Sequence, residues 1–266
     1  MATTLYAVPA SHPCAAVEKA LQLKGIEYRR VDIPPVAHKA VQKALFGRGT
    51  VPGLRFDGRK IVGSREIMRA LDDAVPEPPL LPVDEKERKS VGLAEQWGDE
   101  VLQPLARRII WVALRRSPES MASYGGDSSL PIPDAVTRLT APLVARAEQK
   151  INNGTDLNVR ADLRALDQHL ARVERWMEHD VVGGDAPNAA DLQIGSGLAL
   201  ILTVGDVADA FGARRAFDLA RRWFPDYPGR VPAGALPAEW LRERTAAGYG
   251  GEFSAGSSAT VPSRGR

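Results

Sequence analysis

The first quarter of the chain alternates short apolar runs with amphipathic stretches. Residues 5–8 form an apolar run of strand length, and a helical pattern follows it. Further on, residues 53–56 and 59–62 flank Asp57-Gly58, a pair that is typical of a tight hairpin turn. The pattern predicts the order strand, helix, strand, helix, hairpin and helix.

Helical periodicity dominates the rest of the chain. The proline-dense stretch 76–82 cannot be helical, so we expect a linker over residues 76–83 between an N-terminal domain at 1–75 and a helical domain at 84–247. Within the helical domain, residues 117–133 are rich in Ser, Gly and Pro and are predicted to form a loop. The small, polar residues 248–266 are predicted to be a disordered tail. The predicted helices are 84–116, bent at Pro104, and then 135–152, 159–179, 188–204 and 208–223.

One of these helices carries a strong start signal. Asn188 is a good N-cap residue, and Asp191 stands three positions later, where its carboxylate can reach back to the N-cap backbone. An apolar run follows. We therefore expect Asn188 and Asp191 to cap a central helix of the fold.

The composition and charge of the chain argue against a nucleic-acid-binding or membrane-spanning protein. The 266 residues are 44% hydrophobic with a net charge of +2, and the arginines are scattered, so nucleic acid is not an expected partner. The longest apolar run, of about 12 residues, is too short for a membrane span. The single cysteine fits a reducing compartment, and we expect a cytoplasmic protein.

The four histidines lack metal-ligand spacing, so no metal is expected. The acidic stretches 72–73 and 95–100 are predicted to face solvent.

The stretch Ser11-His12-Pro13-Cys14 lies where the first strand gives way to the first helix. The first N–H groups of a helix lack partners, and the helix dipole places partial positive charge there. A sulfur anion is stabilised at such a junction. This stretch is therefore predicted to hold a thiolate.

With Val51-Pro52 at the start of the hairpin and Ser64 at the next helix, this stretch resembles the thioredoxin-like N-terminal domain of glutathione S-transferases. The resemblance covers residues 5–71, and the Asn188 capping motif is similar to the one that opens the core helix of that family's C-terminal domain. It implies a fold with an α/β thioredoxin-like N-terminal domain and an all-α C-terminal domain. It also implies a homodimer that uses glutathione as co-substrate against a small electrophile.

The resemblance assigns roles to several residues. Ser11 falls where serine-type and cysteine-type transferases carry the catalytic residue, and its hydroxyl would stabilise the thiolate of a bound thiol. An N-cap role for Ser11 is compatible with that one. Val51 and Pro52 match the family's peptide-binding position. Ser64 matches half of a Glu-Ser pair that binds the γ-glutamyl group, but Gly63 stands where the acidic residue would be.

Further residues are candidates for the thiol site and for contact with the electrophile. Arg65 could add a charge to the thiol site, and Lys39 is a further candidate. The electrophile is expected between the domains, against Arg107, Ile110 and Trp111.

Cys14 is the alternative to Ser11 as the reactive residue. It would be either a reactive thiol or a small apolar core residue.

The function expected from these residues is thiolate stabilisation for attack on an electrophile. Thiol–disulfide or dehalogenation chemistry through Cys14 is one alternative, and a binding or stress protein without turnover is another. The excess of arginine over lysine indicates a GC-rich bacterial source, so a low-molecular-weight thiol other than glutathione stays open.

Overall fold

A computed structural model of the chain describes residues 3–126, 128–130 and 132–247. Its N-terminal unit is a four-stranded mixed sheet in the order β2-β1-β3-β4. Strand β1 runs parallel to β2 and antiparallel to β3, and β3 and β4 form the predicted hairpin. The strands are β1 (Thr3–Ala7), β2 (Tyr28–Asp32), β3 (Gly53–Phe56) and β4 (Arg59–Val62).

Three helices complete this unit, and the order of elements is the one that the sequence predicts. The helices are α1 (His12–Leu23), α2 (His38–Phe46) and α3 (Ser64–Ala74). Leu5 and Leu54 of the sheet pack with Val17 of α1 and with Ile67 and Met68 of α3 in one buried cluster. Apolar positions one turn apart in each helix therefore face the same side of the sheet.

A buried ion pair holds the connection between the two units. The Lys24 ammonium lies 2.6 Å from an oxygen of the Asp72 carboxylate. It also donates to the backbone carbonyls of Val75 and Pro78, at 2.6 Å each. The Asp72 carboxylate accepts the backbone N–H of Leu80 at 2.7 Å. The prediction that Asp72 faces solvent is therefore wrong, because this carboxylate orders the linker.

The second unit is all helical. Residues 98–102 form a π-helical turn between the first two helices, ahead of Pro104. A bend at Pro104 itself stays a prediction. Residues 118–125 of the predicted loop form a 3₁₀ turn. The predicted helix at 208–223 is wrong: it is two short helices separated after Gly212. The predicted disordered tail lies outside the described residues. The helices are α4 (Glu85–Trp97), α5 (Gln103–Arg116), α6 (Asp134–Ile151), α7 (Asp156–Glu178), α8 (Ala189–Leu202), α9 (Gly205–Phe211), α10 (Asp218–Trp223) and α11 (Ala238–Ala247).

Helix α8 is the centre of this unit and is buried almost throughout. The Asn188 side chain accepts the backbone N–H groups of Ala190 and Asp191, and the Asp191 carboxylate accepts the N–H of Asn188. Asp191 also accepts the N–H of Gly183 at 2.6 Å. The structure thus contains the capping box that the sequence predicts at Asn188 and Asp191.

The two units are in direct contact. Helix α1 packs on α8, and the backbone N–H of Ala189 donates to the carbonyl of Leu80 at 2.8 Å. Near the start of α1, the Tyr227 hydroxyl donates to the carbonyl of Ala10 at 2.7 Å. Contacts from the helical unit therefore reach the loop that carries Ser11. Among the described residues, no helix is long and apolar enough to cross a membrane.

Candidate functional site

The register of the strands places three loop segments at the same end of the sheet, where these strands begin or end. Tyr6 of β1 pairs with Gly53 of β3, and Gly53 pairs in turn with Val62 of β4. The β1–α1 loop with Ser11, the Val51-Pro52 segment and the Gly63-Ser64 segment therefore leave the sheet on the same side. The backbone N–H of Gly63 donates to the carbonyl of Pro52 at 3.0 Å, which joins two of these segments. The Val51-Pro52 peptide bond is cis.

Ser11 occupies the N-cap position of α1 with extended backbone angles, yet its side chain makes no capping hydrogen bond. Its hydroxyl instead acts on the thiol of Cys14, one turn along the helix, where it lowers the pKa of that thiol against the larger effect of burial. Ser11 is half-buried and lines a cleft, so its hydroxyl sits where a ligand can reach it. A hydroxyl placed at the start of a helix can donate to an anion bound there.

Cys14 is buried, with only 1% of its surface exposed, and packs in the apolar cluster of the N-terminal unit. Burial raises the pKa of its thiol to about 12, and hydrogen bonds from Ser11 and from the Val8 backbone offset only part of this effect. At neutral pH the side chain is therefore a thiol. The prediction of a reactive Cys14 thiolate is contradicted, because the cost of burying the anion outweighs the effect of the helix start.

The start of α3 differs from the Glu-Ser pair that the resemblance implies. Gly63 has φ +100°, a backbone conformation that favours glycine. A Cβ atom at this position would clash with Oε2 of Glu66, so the Glu66 carboxylate occupies the space next to Gly63. Ser64 is buried and is the first residue of α3, directly after the N-cap Gly63. Glu66 therefore supplies an acidic group at the helix start, a role that the sequence analysis missed.

Two predicted members of the thiol site have other neighbours. The Arg65 guanidinium lies 3.4 Å from the carboxylate of Glu95 on α4, which Arg69 also contacts at 2.6 Å. Glu95 is fully buried, so the prediction that it faces solvent is wrong. Lys39 is exposed, and its charge lowers the pKa of Glu148 on α6, against the dominant effect of burial. Neither Arg65 nor Lys39 is thus oriented to Ser64.

A cleft of about 280 Å³ opens beside the β1–α1 loop. Two of the charges in its wall pair with each other: Arg30 lies 3.0 Å from Glu18, and it also lies 2.7 Å from Asp32, which is outside the cleft lining. Val51, Pro52 and Ser64 do not line this cleft, so it is an additional space next to Ser11. Its walls include Ser11, Cys14, Glu18, Arg30, Tyr124 and Tyr227.

The three residues predicted to contact an electrophile have different environments. Ile110 is buried in the core of the helical unit, so it is not a pocket residue. Trp111 is half-buried and packs against that core. Arg107 is partly exposed, and its charge acts on the ring of His12, directly after Ser11. Of the three, Arg107 is the residue whose charge reaches the N-terminal unit.

No group of three or more His, Cys, Asp or Glu side chains among the described residues is arranged to hold a metal ion.

Comparisons with known proteins agree with this architecture. Residues 5–79 match the family model described as the glutathione S-transferase N-terminal domain. No curated protein matches the chain. Among solved structures, a glutathione S-transferase from Sinorhizobium meliloti 1021 has a TM-score of 0.55 at 18% identity, covering 92% of this chain and 99% of that one.

Two further structures are similar over both units. A glutathione S-transferase from Rhodospirillum rubrum F11 has a TM-score of 0.54 at 21% identity, covering 88% of this chain and 98% of its own. The β-etherase LigF from Sphingobium sp. strain SYK-6 also has a TM-score of 0.54 at 21% identity, covering 84% of this chain and 100% of its own. At these identities, the likeness is one of fold.

Proposed function

Since the chain belongs to the glutathione S-transferase superfamily by its N-terminal domain and its fold, we propose that it binds glutathione or a related small thiol. In this proposal the Ser11 hydroxyl donates a hydrogen bond to the bound sulfur, which favours the thiolate over the thiol. The thiol proton passes to solvent, and the thiolate forms a carbon–sulfur bond with an electrophilic small molecule while the leaving group departs with its bonding electron pair, as chloride does from chlorodinitrobenzene. The observation that carries the proposal is the Ser11 hydroxyl, which is free of helix capping and borders a cleft at the start of α1.

The edge of the sheet supports the binding part of this proposal. Val51 precedes the cis-proline Pro52 at the same end of the sheet as the β1–α1 loop, where its backbone would pair with the bound thiol, and the first N–H groups of α3 favour a carboxylate. The thiol's α-carboxylate would bind there with Ser64. Its ammonium group would face Glu66, whose carboxylate takes the place of an acidic side chain at Gly63. By analogy with the superfamily, we also propose a homodimer, which light scattering would detect as twice the chain mass.

Calorimetry with glutathione, combined with conjugation of chlorodinitrobenzene, tests the role of Ser11. We expect Ser11→Ala to lower kcat/KM by about a hundredfold or more, as the loss of one donor to a reacting anion does. The dissociation constant of glutathione should change much less, because the hydroxyl acts on the sulfur alone. Ser90→Ala is a matched control, since its hydroxyl bonds to its own helix at the carbonyl of Lys86 on an exposed surface.

Each result of this experiment separates the candidates. Turnover that survives Ser11→Ala would exclude Ser11 as the thiolate-stabilising group. Absence of glutathione binding would direct the search to other thiols. Binding without turnover by any electrophile would favour a binding or stress protein, the alternative that the missing acidic residue at Gly63 favours. Loss of activity in Cys14→Ala, with the fold intact, would instead support chemistry through the thiol.

A further inference from the structure

A polar network crosses the helical unit beside the start of α1. The Asp99 carboxylate accepts hydrogen bonds from the side-chain amides of Gln103 at 3.0 Å and Gln193 at 3.4 Å. The Arg107 guanidinium donates to the amide oxygen of Gln103 at 3.4 Å. Gln103 and Gln193 are buried. The network therefore ends on one side in a cation, Arg107, whose charge reaches the ring of His12 at the start of α1.

The Arg107 guanidinium has no directly paired carboxylate among the described residues. No carboxylate oxygen of the described residues lies within 4.0 Å of its guanidinium, whereas its neighbour Arg108 has a bidentate bond to Asp162 at 2.7 Å. Burial lowers the pKa of Arg107, and the charge of Asp99 compensates only in part. A mostly buried guanidinium is costly unless an anion pairs with it. This position thus favours an anion from outside the chain.

His12 is the second unpaired group at this place. It is only 2% exposed, and its Nε2 atom has no hydrogen-bond partner among the described residues. Burial, and then the charge of Arg107, hold the pKa of His12 well below its ordinary value, so the ring is neutral at physiological pH. A neutral imidazole with its proton on Nε2 can donate a hydrogen bond. A buried polar atom without a partner is costly, and an anion beside Arg107 would satisfy it.

We propose that Arg107 and His12 together bind a carboxylate of the second substrate, so that the electrophile is an organic acid. This inference rests on the proposed function. A carboxylate fits both groups at once, because it can accept from the planar guanidinium and from the imidazole N–H. His12 directly follows Ser11, so a substrate anchored here would hold its reactive part near the sulfur. A carboxylate of the thiol itself is the other ligand that would fit Arg107 and His12. The first N–H groups of α3 provide a separate binding place for one of the thiol's carboxylates.

Binding of benzoate and benzamide without any thiol tests the site independently of turnover. In calorimetry we expect benzoate to bind the wild-type chain and Arg107→Gln to weaken it about tenfold or more, the effect of losing a charged hydrogen bond. Arg107→Lys should keep part of the affinity, and benzamide should not distinguish the variants. Arg115→Gln, on the exposed end of the same helix, is the matched control. Unchanged melting temperatures would show that the variants fold.

Kinetics then identify which substrate carries the carboxylate. With chloronitrobenzoate, Arg107→Gln should raise KM about tenfold or more. The KM of chlorodinitrobenzene, which has no carboxylate, should rise clearly less, and the KM of glutathione should stay unchanged. A raised KM for glutathione would overturn the assignment to the electrophile. Equal effects on both electrophiles, or equal benzoate binding by wild type and Arg107→Gln, would overturn the site. Arg107-dependent benzoate binding without turnover of any electrophile would support the site and contradict the proposed transferase function.

Discussion

Ser11 and Cys14 lie one helical turn apart, and the structure gives them opposite environments. The sequence predicts that both sit at the first turn of a helix, which the structure confirms. Spacing alone does not tell how deep each side chain lies, because depth depends on what packs over the helix. Both belong to the wall of the cleft, but Ser11 is half-buried whereas Cys14 is almost fully buried in the core. His12 received no role in the sequence analysis for the same reason, since the charge of Arg107 that acts on it comes from a residue distant in sequence.

The folded chain should be almost inert to thiol reagents. Because the pKa of Cys14 is raised to about 12, its thiolate fraction at about pH 8 is roughly a thousandfold below that of a free cysteine. We expect Ellman's reagent to react at least a hundredfold faster with protein unfolded in guanidinium than with native protein. As Cys14 is the single cysteine, the signal reports this residue alone. Rapid reaction of the native protein would show that the thiol is accessible and ionised.

At the scale of elements, helix α8 was the most predictable part of the helical unit. Its start could be read from Asn188 and Asp191, because a capping box is a local pattern. The predicted helix 208–223 failed for the opposite reason: chain direction changes after Gly212, where residues 215–217 form a 3₁₀ turn before α10. Tertiary packing decides such breaks, and periodicity alone does not reveal them.

The cap of α8 should stabilise the chain more than the cap of an exposed helix. Asn188 accepts two backbone N–H groups and also donates to the carbonyl of Val181 at 2.9 Å. We expect Asn188→Ala to lower the free energy of unfolding by about 2 kcal/mol. Thr155→Ala is the comparison, since Thr155 caps α7 through one exposed bond to Asn158, and it should cost about 1 kcal/mol or less. Urea unfolding measures both, and an equal or smaller loss for Asn188→Ala would contradict this ranking.

At the scale of the whole molecule, the fold class was predictable and the buried charges were not. The order of elements, the proline-dense connection and the helical second half are all visible in the sequence. Asp72 and Glu95 look like surface residues in a sequence rich in charge, but each meets a cation from elsewhere in the chain. Such pairs form only after the sheet and the helices have packed, so a local pattern does not reveal them.

The Lys24–Asp72 pair should couple the linker to the N-terminal unit. Removing one partner leaves a buried charge, so Lys24→Met and Asp72→Asn should each lower the free energy of unfolding by about 3–5 kcal/mol. The double variant should lose clearly less than the sum of the two. Arg221→Gln, which breaks an exposed pair with Asp218, should cost under about 1 kcal/mol. Additive losses in urea unfolding would show that Lys24 and Asp72 act separately.

The contact between Gly63 and Glu66 has a consequence for how this chain can change over time. A glutamate introduced at Gly63 would meet the Glu66 carboxylate and a backbone that disfavours any side chain. Restoring an acidic residue at position 63 therefore takes a change of backbone conformation as well as the substitution, because the positive φ disfavours any side chain, whereas the end of the exposed Glu66 side chain can move aside. The acidic group at this helix start has in effect moved by one turn, and the glycine makes that move hard to reverse.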